Sequence, residues 1–390
     1  MLDWLDTGIG LVSAASVIAG IGYWRRAQWP RGVGVAALAL LWVLLLAGGW
    51  GEKWLALALV AALGPTLASL LGDDSATVFA AAIAGGGVAA LRYATTSPLL
   101  FLLWLEESIV ASYAAIALGG GERAKKAALV FFVASSTALI LLAIGLFAPS
   151  SQVSGLLLLL GAALELSIAP LHLWGVDVVA YAPLAPLLAG FTAPKVPVIY
   201  VAVETLSRLG ALALPAIAAY LVAASSILVG GLVGSSRPIE PRKSLAYGSV
   251  MHLALPLFLV AYPSTQLLAY YMACYVLGEA GLIAMIYSRE TGEETSQSRV
   301  LPGLLLAGLV GAPPAASFVA KLGVLIASFH EPWVGLLALA SLLAATPPAT
   351  LYYTRAVLET LPYYRRGARL VLAFSSLMLI LLIVAAPLRW

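Results

Sequence analysis

Along the chain, apolar runs about the length of a bilayer-spanning helix, roughly 20 residues, alternate with short polar turns. The pattern predicts fourteen transmembrane helices, over 7–23, 33–50, 54–72, 76–92, 97–118, 125–147, 153–174, 184–207, 209–234, 244–262, 265–288, 301–328, 333–356 and 369–387. The fourth run is interrupted by Gly85-Gly86-Gly87, and the eighth and ninth are separated only near Arg208-Leu209-Gly210. No connecting loop is longer than about a dozen residues, which leaves no room for a soluble catalytic domain. Composition agrees: 62% of the 390 residues are hydrophobic and only 10% charged, against roughly 25% in soluble domains. Mean hydropathy is +1.01. The expected fold is an all-α polytopic membrane protein.

The basic residues orient these helices. With the N-terminus outside, the odd-numbered loops carry Arg25, Arg26, Arg31, Arg123, Lys125, Lys126, Arg237, Arg242, Lys243, Arg289, Arg299, Arg355, Arg365, Arg366 and Arg369. The even side carries only Lys53, Arg92, Arg208 and Arg389, and the remaining two, Lys195 and Lys321, fall inside the membrane. Basic residues gather in cytoplasmic loops. The split therefore predicts a plasma-membrane protein with both termini outside. The acidic start Met-Leu-Asp-Trp-Leu-Asp is unlike the basic beginning of a cleavable signal peptide.

Several chemistries are excluded. The single cysteine, Cys274, rules out disulfides, Cys-based zinc sites and protein-held iron–sulfur clusters. No Walker loop or dinucleotide fingerprint is present, and the triple glycines at 85–87 and 119–121 read as close helix packing and a turn. No cofactor or metal is expected in this chain. The complete lack of asparagine fits a heat-adapted source.

The seventh apolar run is interrupted by proline at Pro170 and the twelfth at Pro313-Pro314. A proline removes a backbone hydrogen bond and clashes with the preceding turn, and in lipid the freed carbonyls must be satisfied by protein or water. The two breaks lie five helices apart. Because five is odd, helices 4–8 and 9–13 enter the membrane from opposite sides, the arrangement of inverted repeats with discontinuous helices at matching positions. This divides a single membrane domain (1–390) into three leading helices (1–75), a first repeat (76–208), a second repeat (209–356) and a last helix (357–390).

Ionisable groups at membrane depth are costly and mark functional sites. Lys195 begins well inside helix 8, too deep to snorkel easily. Lys321 lies just past the break in helix 12, and Glu165 one turn before Pro170. Glu106 and Glu107 are adjacent in helix 5, so one can face the bundle while the other points roughly 100° away. Glu279 in helix 11 and His172 after the first break are secondary candidates, and His252 lies mid-helix 10. Glu204 and Arg208 have the spacing of a helical ion pair. Titratable groups spread across the bilayer, without a metal or redox motif, point to proton conduction.

At these residues the chain resembles the antiporter-like family shared by respiratory complex I and Mrp-type sodium/proton antiporters, and in particular the N-type subunit of complex I. The resemblance rests on Pro170-Leu-His-Leu-Trp174, Ala193-Pro-Lys-Val196, Lys243-Ser-Leu-Ala-Tyr-Gly-Ser-Val-Met-His252, Gly311-Ala-Pro-Pro-Ala-Ala-Ser-Phe-Val-Ala-Lys321, and Leu105-Glu106 with Tyr113. It covers roughly residues 100–325. It implies a proton-translocating subunit with Glu106, Lys195 and Lys321 as carriers and His252 in the axis that links them. Redox chemistry would reside in partner subunits, which would also hold the cofactors. A family lysine in helix 7 is missing: Glu165 stands in its place, and no Lys or Arg occurs between Lys126 and Lys195. Glu106 and Glu165 are then expected to share a proton. Alternatives within reach of the same motifs are a Mrp-type antiporter subunit, a membrane-bound hydrogenase subunit, or a structural subunit that no longer pumps.

Overall fold

In the computed structural model, residues 4–26, 29–48, 50–148, 151–236, 240–291, 300–361 and 366–384 are described, the side chains of 52, 53, 366 and 367 excepted. Helix is their regular structure, joined by turns and breaks, with no strand among the described residues. In chain order the helices are α1 Trp4–Trp24, α2 Pro30–Ala47, α3 Glu52–Leu70, α4 Asp74–Tyr93, α5 Pro98–Leu118 and α6 Glu122–Phe147. Next come the half-helices α7a Gln152–Glu165 and α7b Leu173–Tyr181, then α8a Leu184–Gly190 and α8b Lys195–Arg208. The remainder are α9 Leu214–Ser236, α10 Pro241–Val260, α11 Thr265–Thr291, α12a Val300–Val310, α12b Ala316–Ser328, α13 Pro332–Thr360 and α14 Arg366–Leu381. Ten of these spans are long and apolar enough to cross a membrane, with α8a and α8b counted together. Adding the shorter α3 and α14 and the paired halves of α7 and α12 reproduces the fourteen expected from the hydrophobic pattern. The chain is a multi-pass membrane protein.

Contacts between helix ends give an independent check on the alternation. On one face, Arg31 meets Asp74 at 3.2 Å and Arg289 meets Glu359 at 3.1 Å. On the same face Arg242 forms a two-pronged pair with Glu290, at 2.6 and 2.7 Å. All of these join odd-numbered loops. On the opposite face Asp6 pairs with Arg92 at 3.1 Å and accepts a hydrogen bond from the Tyr93 hydroxyl at 2.5 Å. There too the rings of Tyr262 and His330 stack 3.8 Å apart. Those contacts join the first helix and even-numbered loops. Of the basic residues that orient the chain, Arg237, Arg299, Arg365 and Arg389 lie outside the described residues, as do the side chains of Lys53 and Arg366. The extreme termini, residues 1–3 and 385–390, lie outside them as well.

Both expected breaks are present. Helix α7 is interrupted over 166–172 and α12 over 311–315, and the Ala169–Pro170 and Pro313–Pro314 peptide bonds are cis. Two details differ from the sequence reading. The fourth helix runs unbroken through Gly85-Gly86-Gly87. Those glycines serve the close helix packing expected of them: a methyl added at Gly86 would lie 2.7 Å from the Trp104 carbonyl oxygen of α5, and one at Gly87 would lie 2.9 Å from that of Ala193. The eighth helix, expected to be continuous over 184–207, is itself interrupted at 191–194. Pro194 and Pro197 lack the amide protons that would have continued the helix across this point.

Each break exposes carbonyls that lipid cannot satisfy, and side chains from beyond the break reach back to them. The Trp174 indole donates to the Leu164 carbonyl at 3.0 Å and Ser317 to that of Gly308 at 2.6 Å. The free end of α7b is held from outside: Arg242 donates to the carbonyls of Val179 and Ala182 at 2.9 and 2.8 Å while gripping Glu290. Arg242→Ala is therefore expected to lower stability by about 1–3 kcal/mol, read as a reduced melting temperature in detergent, with the α7b amides losing hydrogen-exchange protection first.

Candidate functional site

The site begins where two interruptions meet. Glu165 is the last residue of α7a, and Lys195 the first of α8b. Both are buried, Lys195 completely. The Lys195 ammonium donates to the Leu166 carbonyl at 3.4 Å, just past the end of α7a, and lies 4.0 Å from the centre of the Phe191 ring. A cation is favoured at a helix C-terminus and a carboxylate disfavoured, so the local field supports Lys195 and works against Glu165. Neither Glu165 oxygen makes a hydrogen bond to protein, although the Ser135 hydroxyl faces the carboxyl group. The cation that helix 7 lacks is supplied by helix 8: Glu165 and Lys195 are electrostatic neighbours, and Glu106 of α5 also acts on Glu165. Glu107 points instead toward Ser13 of α1.

The second break repeats the pattern with its own lysine. Lys321 of α12b donates to the Val310 carbonyl at 2.8 Å, and Val310 is the last residue of α12a. Each lysine thus caps the first half of a broken helix. Lys321 is half-buried: one side lines a cavity of ≈ 20 Å³, and the other an apolar groove of ≈ 410 Å³ between α12b and α13. Ala193-Pro194 and Pro313-Pro314 supply the interruptions that place the two ammonium groups, and Pro170 supplies the one at Glu165.

Glu279 joins the two halves. It interacts electrostatically with Lys195 on one side. On the other it lines the ≈ 20 Å³ cavity with His252, Cys274 and Lys321. A smaller space of ≈ 10 Å³, bounded by Phe191, Thr192, Ser249 and Tyr275, also ends on Glu279. A cavity of this size holds about one water. Tyr275 donates to Ser249 at 3.4 Å and Tyr271 to the His252 carbonyl at 2.8 Å. The order through the bundle is Glu106, Glu165, Lys195, Glu279, His252 and Lys321.

His172 lies apart from this line, at the start of α7b, with its ring 6.1 Å from that of Tyr247. Glu204 and Arg208 form the expected pair at 2.8 Å, on the surface. The sequence reading gave Glu279 too little weight. A signal was available: Tyr271, Tyr275 and Glu279 recur every four residues, which puts three polar groups on one face of an apolar helix.

Comparison with known proteins gives a consistent result. The family model described as "NADH:quinone oxidoreductase/Mrp antiporter, TM" matches residues 148–346, half of the chain. NADH-quinone oxidoreductase subunit N of Syntrophotalea carbinolica is 30% identical over 239 residues, covering 56% of this chain and 50% of the relative. The match thus spans about half the length of that curated relative. Among solved structures, a chain of respiratory complex I from Thermus thermophilus superposes with a TM-score of 0.78 at 22% identity, covering 97% of both chains. A chain of the Mrp complex from a Dietzia species gives 0.76 at 15% identity, covering 97% of this chain and 50% of that one. At these identities the structures speak for the fold alone. The chain belongs to the NADH:quinone oxidoreductase/Mrp antiporter family of membrane proteins.

Proposed function

We propose that this chain is a proton-translocating, antiporter-like subunit of a complex I-like respiratory oxidoreductase in the plasma membrane, with its basic loops facing the cytoplasm. It moves protons along Glu106, Glu165, Lys195, Glu279, His252 and Lys321, and Glu107 and His172 are side groups of that path. Electron transfer and its cofactors reside in partner subunits. The observation that carries the reading is the unbroken run of buried ionisable groups from one interrupted helix to the other, with a lysine fixed at each break. Capping a carbonyl accounts for each lysine, but not for the carboxylates and the histidine that lie between them at membrane depth.

The chemistry follows from the alternation of sign. A proton arriving at Glu165 neutralises the carboxylate beside Lys195, which frees the ammonium to release its own proton toward Glu279. Small cavities on either side of Glu279 give room for single waters to carry that transfer. His252 and Lys321 complete the path, and the groove beside Lys321 offers a lateral way out. Glu106 and Glu165 hold one proton between them, because a charge on half-buried Glu106 works against a second charge on fully buried Glu165.

A structural subunit that no longer pumps is the second reading, and the carboxylate at 165 in place of a lysine is the feature that favours it. Lys195→Ala and Lys321→Ala in the reconstituted complex separate the two. Translocation predicts that each lowers proton flux by about tenfold or more while the complex still assembles. Unchanged flux in both would leave only the scaffold. Infrared titration checks the shared proton: Glu165→Gln is expected to remove a protonated-carboxyl band present at neutral pH. Two fully ionised carboxylates in the unaltered protein would refute the sharing.

A further inference from the structure

A cluster of phenols lies beside the axis. Tyr352 and Tyr353 of α13 are completely buried, and their hydroxyls face no protein hydrogen-bond partner other than each other. Their rings are 4.7 Å apart. The Tyr353 ring lies 6.1 Å from that of His252, and its phenol has Glu279, Tyr275 and Tyr352 as electrostatic neighbours. A phenylalanine would fill the same space without burying a hydroxyl so poorly supplied with partners.

The backbone makes room for this hydroxyl. Gly248 of α10, one turn before His252, has no side chain where the Tyr353 oxygen rests; an added methyl would overlap that oxygen. The hydroxyl therefore sits against the same turn of α10 that carries Ser249 and His252. From Tyr352 the line continues toward the break in α7. A methyl added at Gly234 of α9 would touch Tyr352 at 3.0 Å and Tyr247 at 2.9 Å, so these two rings flank one glycine. Tyr247 in turn faces His172, which is partly exposed at the start of α7b.

We propose that Tyr353 is a proton-relay residue that connects Glu279 through Tyr352 and Tyr247 to His172, giving the axis a second connection, to the break in α7. A phenol both donates and accepts. In each transfer the Tyr353 oxygen takes a proton from one neighbour as its own hydroxyl proton leaves to the other; one O–H bond forms, one breaks, and the residue stays neutral. The branch reaches the axis beyond Glu165, so it loads Glu279 without passing the position where the family lysine is replaced. It rests on the translocation reading above.

The test uses the assembled complex reconstituted in liposomes, with Tyr353→Phe and Lys195→Ala measured side by side. Tyr353→Phe is expected to lower proton flux about tenfold, to shift the infrared carboxyl band of Glu279, and to leave assembly and melting temperature near those of the unaltered complex. Unaltered flux together with an unaltered Glu279 band overturns the relay, provided that Lys195→Ala does lower the flux. If Lys195→Ala leaves the flux unchanged, the translocation reading fails and the relay with it. Should Tyr353→Phe not assemble, 3,5-difluorotyrosine at position 353 keeps the shape and changes only the acidity of the phenol. A changed proton flux then supports the relay, and an unchanged one overturns it.

Discussion

The arrangement depends on one constraint: a helix broken within a membrane leaves carbonyls that no lipid can satisfy. Here the two breaks place a lysine ammonium against such a carbonyl, Lys195 against Leu166 and Lys321 against Val310. Each lysine is the first or a nearby residue of a half-helix that begins beyond a break. The backbone defect and the buried charge therefore stabilise each other. Lysine at membrane depth is costly alone, and so is an orphaned carbonyl; together they form a fixed, polar point inside an apolar bundle.

The packing around these points follows from the need to bring interrupted segments close to whole helices. Helix α4 is the example. It is buried along nearly its entire length, and its glycines let α5 and the interruption in α8 approach to backbone contact. Arg242 plays the corresponding part at the membrane surface, where it binds the end of α7b to α10 and α11 in a single bidentate grip. With α7b held at one end by Arg242 and at the other by Trp174 across the break, the position of the whole half-helix is set by side chains of other segments.

The electrostatic consequence is an alternation of charge that differs from the family pattern. A carboxylate ends α7a, where the helix field disfavours it, and the nearest cation comes from the next helix. Lys195 then lies between two acidic groups, Glu165 and Glu279. The buried pair of this site lies between helices 7 and 8. Glu279, next to Lys195 and on the cavity that Lys321 lines, takes the connecting position.

Much of this was legible in the residues. Hydrophobic run length alone determines the fourteen spans, because the bilayer fixes how many apolar residues a helix needs. Proline in an apolar run marks the breaks in α7 and α12, but Pro65 in α3 and Pro347-Pro348 in α13 lie inside unbroken helices, so the local packing decides which prolines interrupt. The identity of the buried charges is equally plain, and so is the absence of any lysine in helix 7. Partnership was not legible. The glycines at 85–87 read as close packing, but which segments approach them, α5 and the interruption in α8, is not recorded in a local pattern. The interruption of α8, the pairing of Glu165 with a lysine thirty residues on, the linking place of Glu279 and the space that Gly248 leaves for Tyr353 all arise from contacts between distant segments. Local sequence decides which groups are buried and where the backbone can fail; only the tertiary structure decides which of them meet, because burial energy depends on the segment alone and pairing depends on geometry between segments.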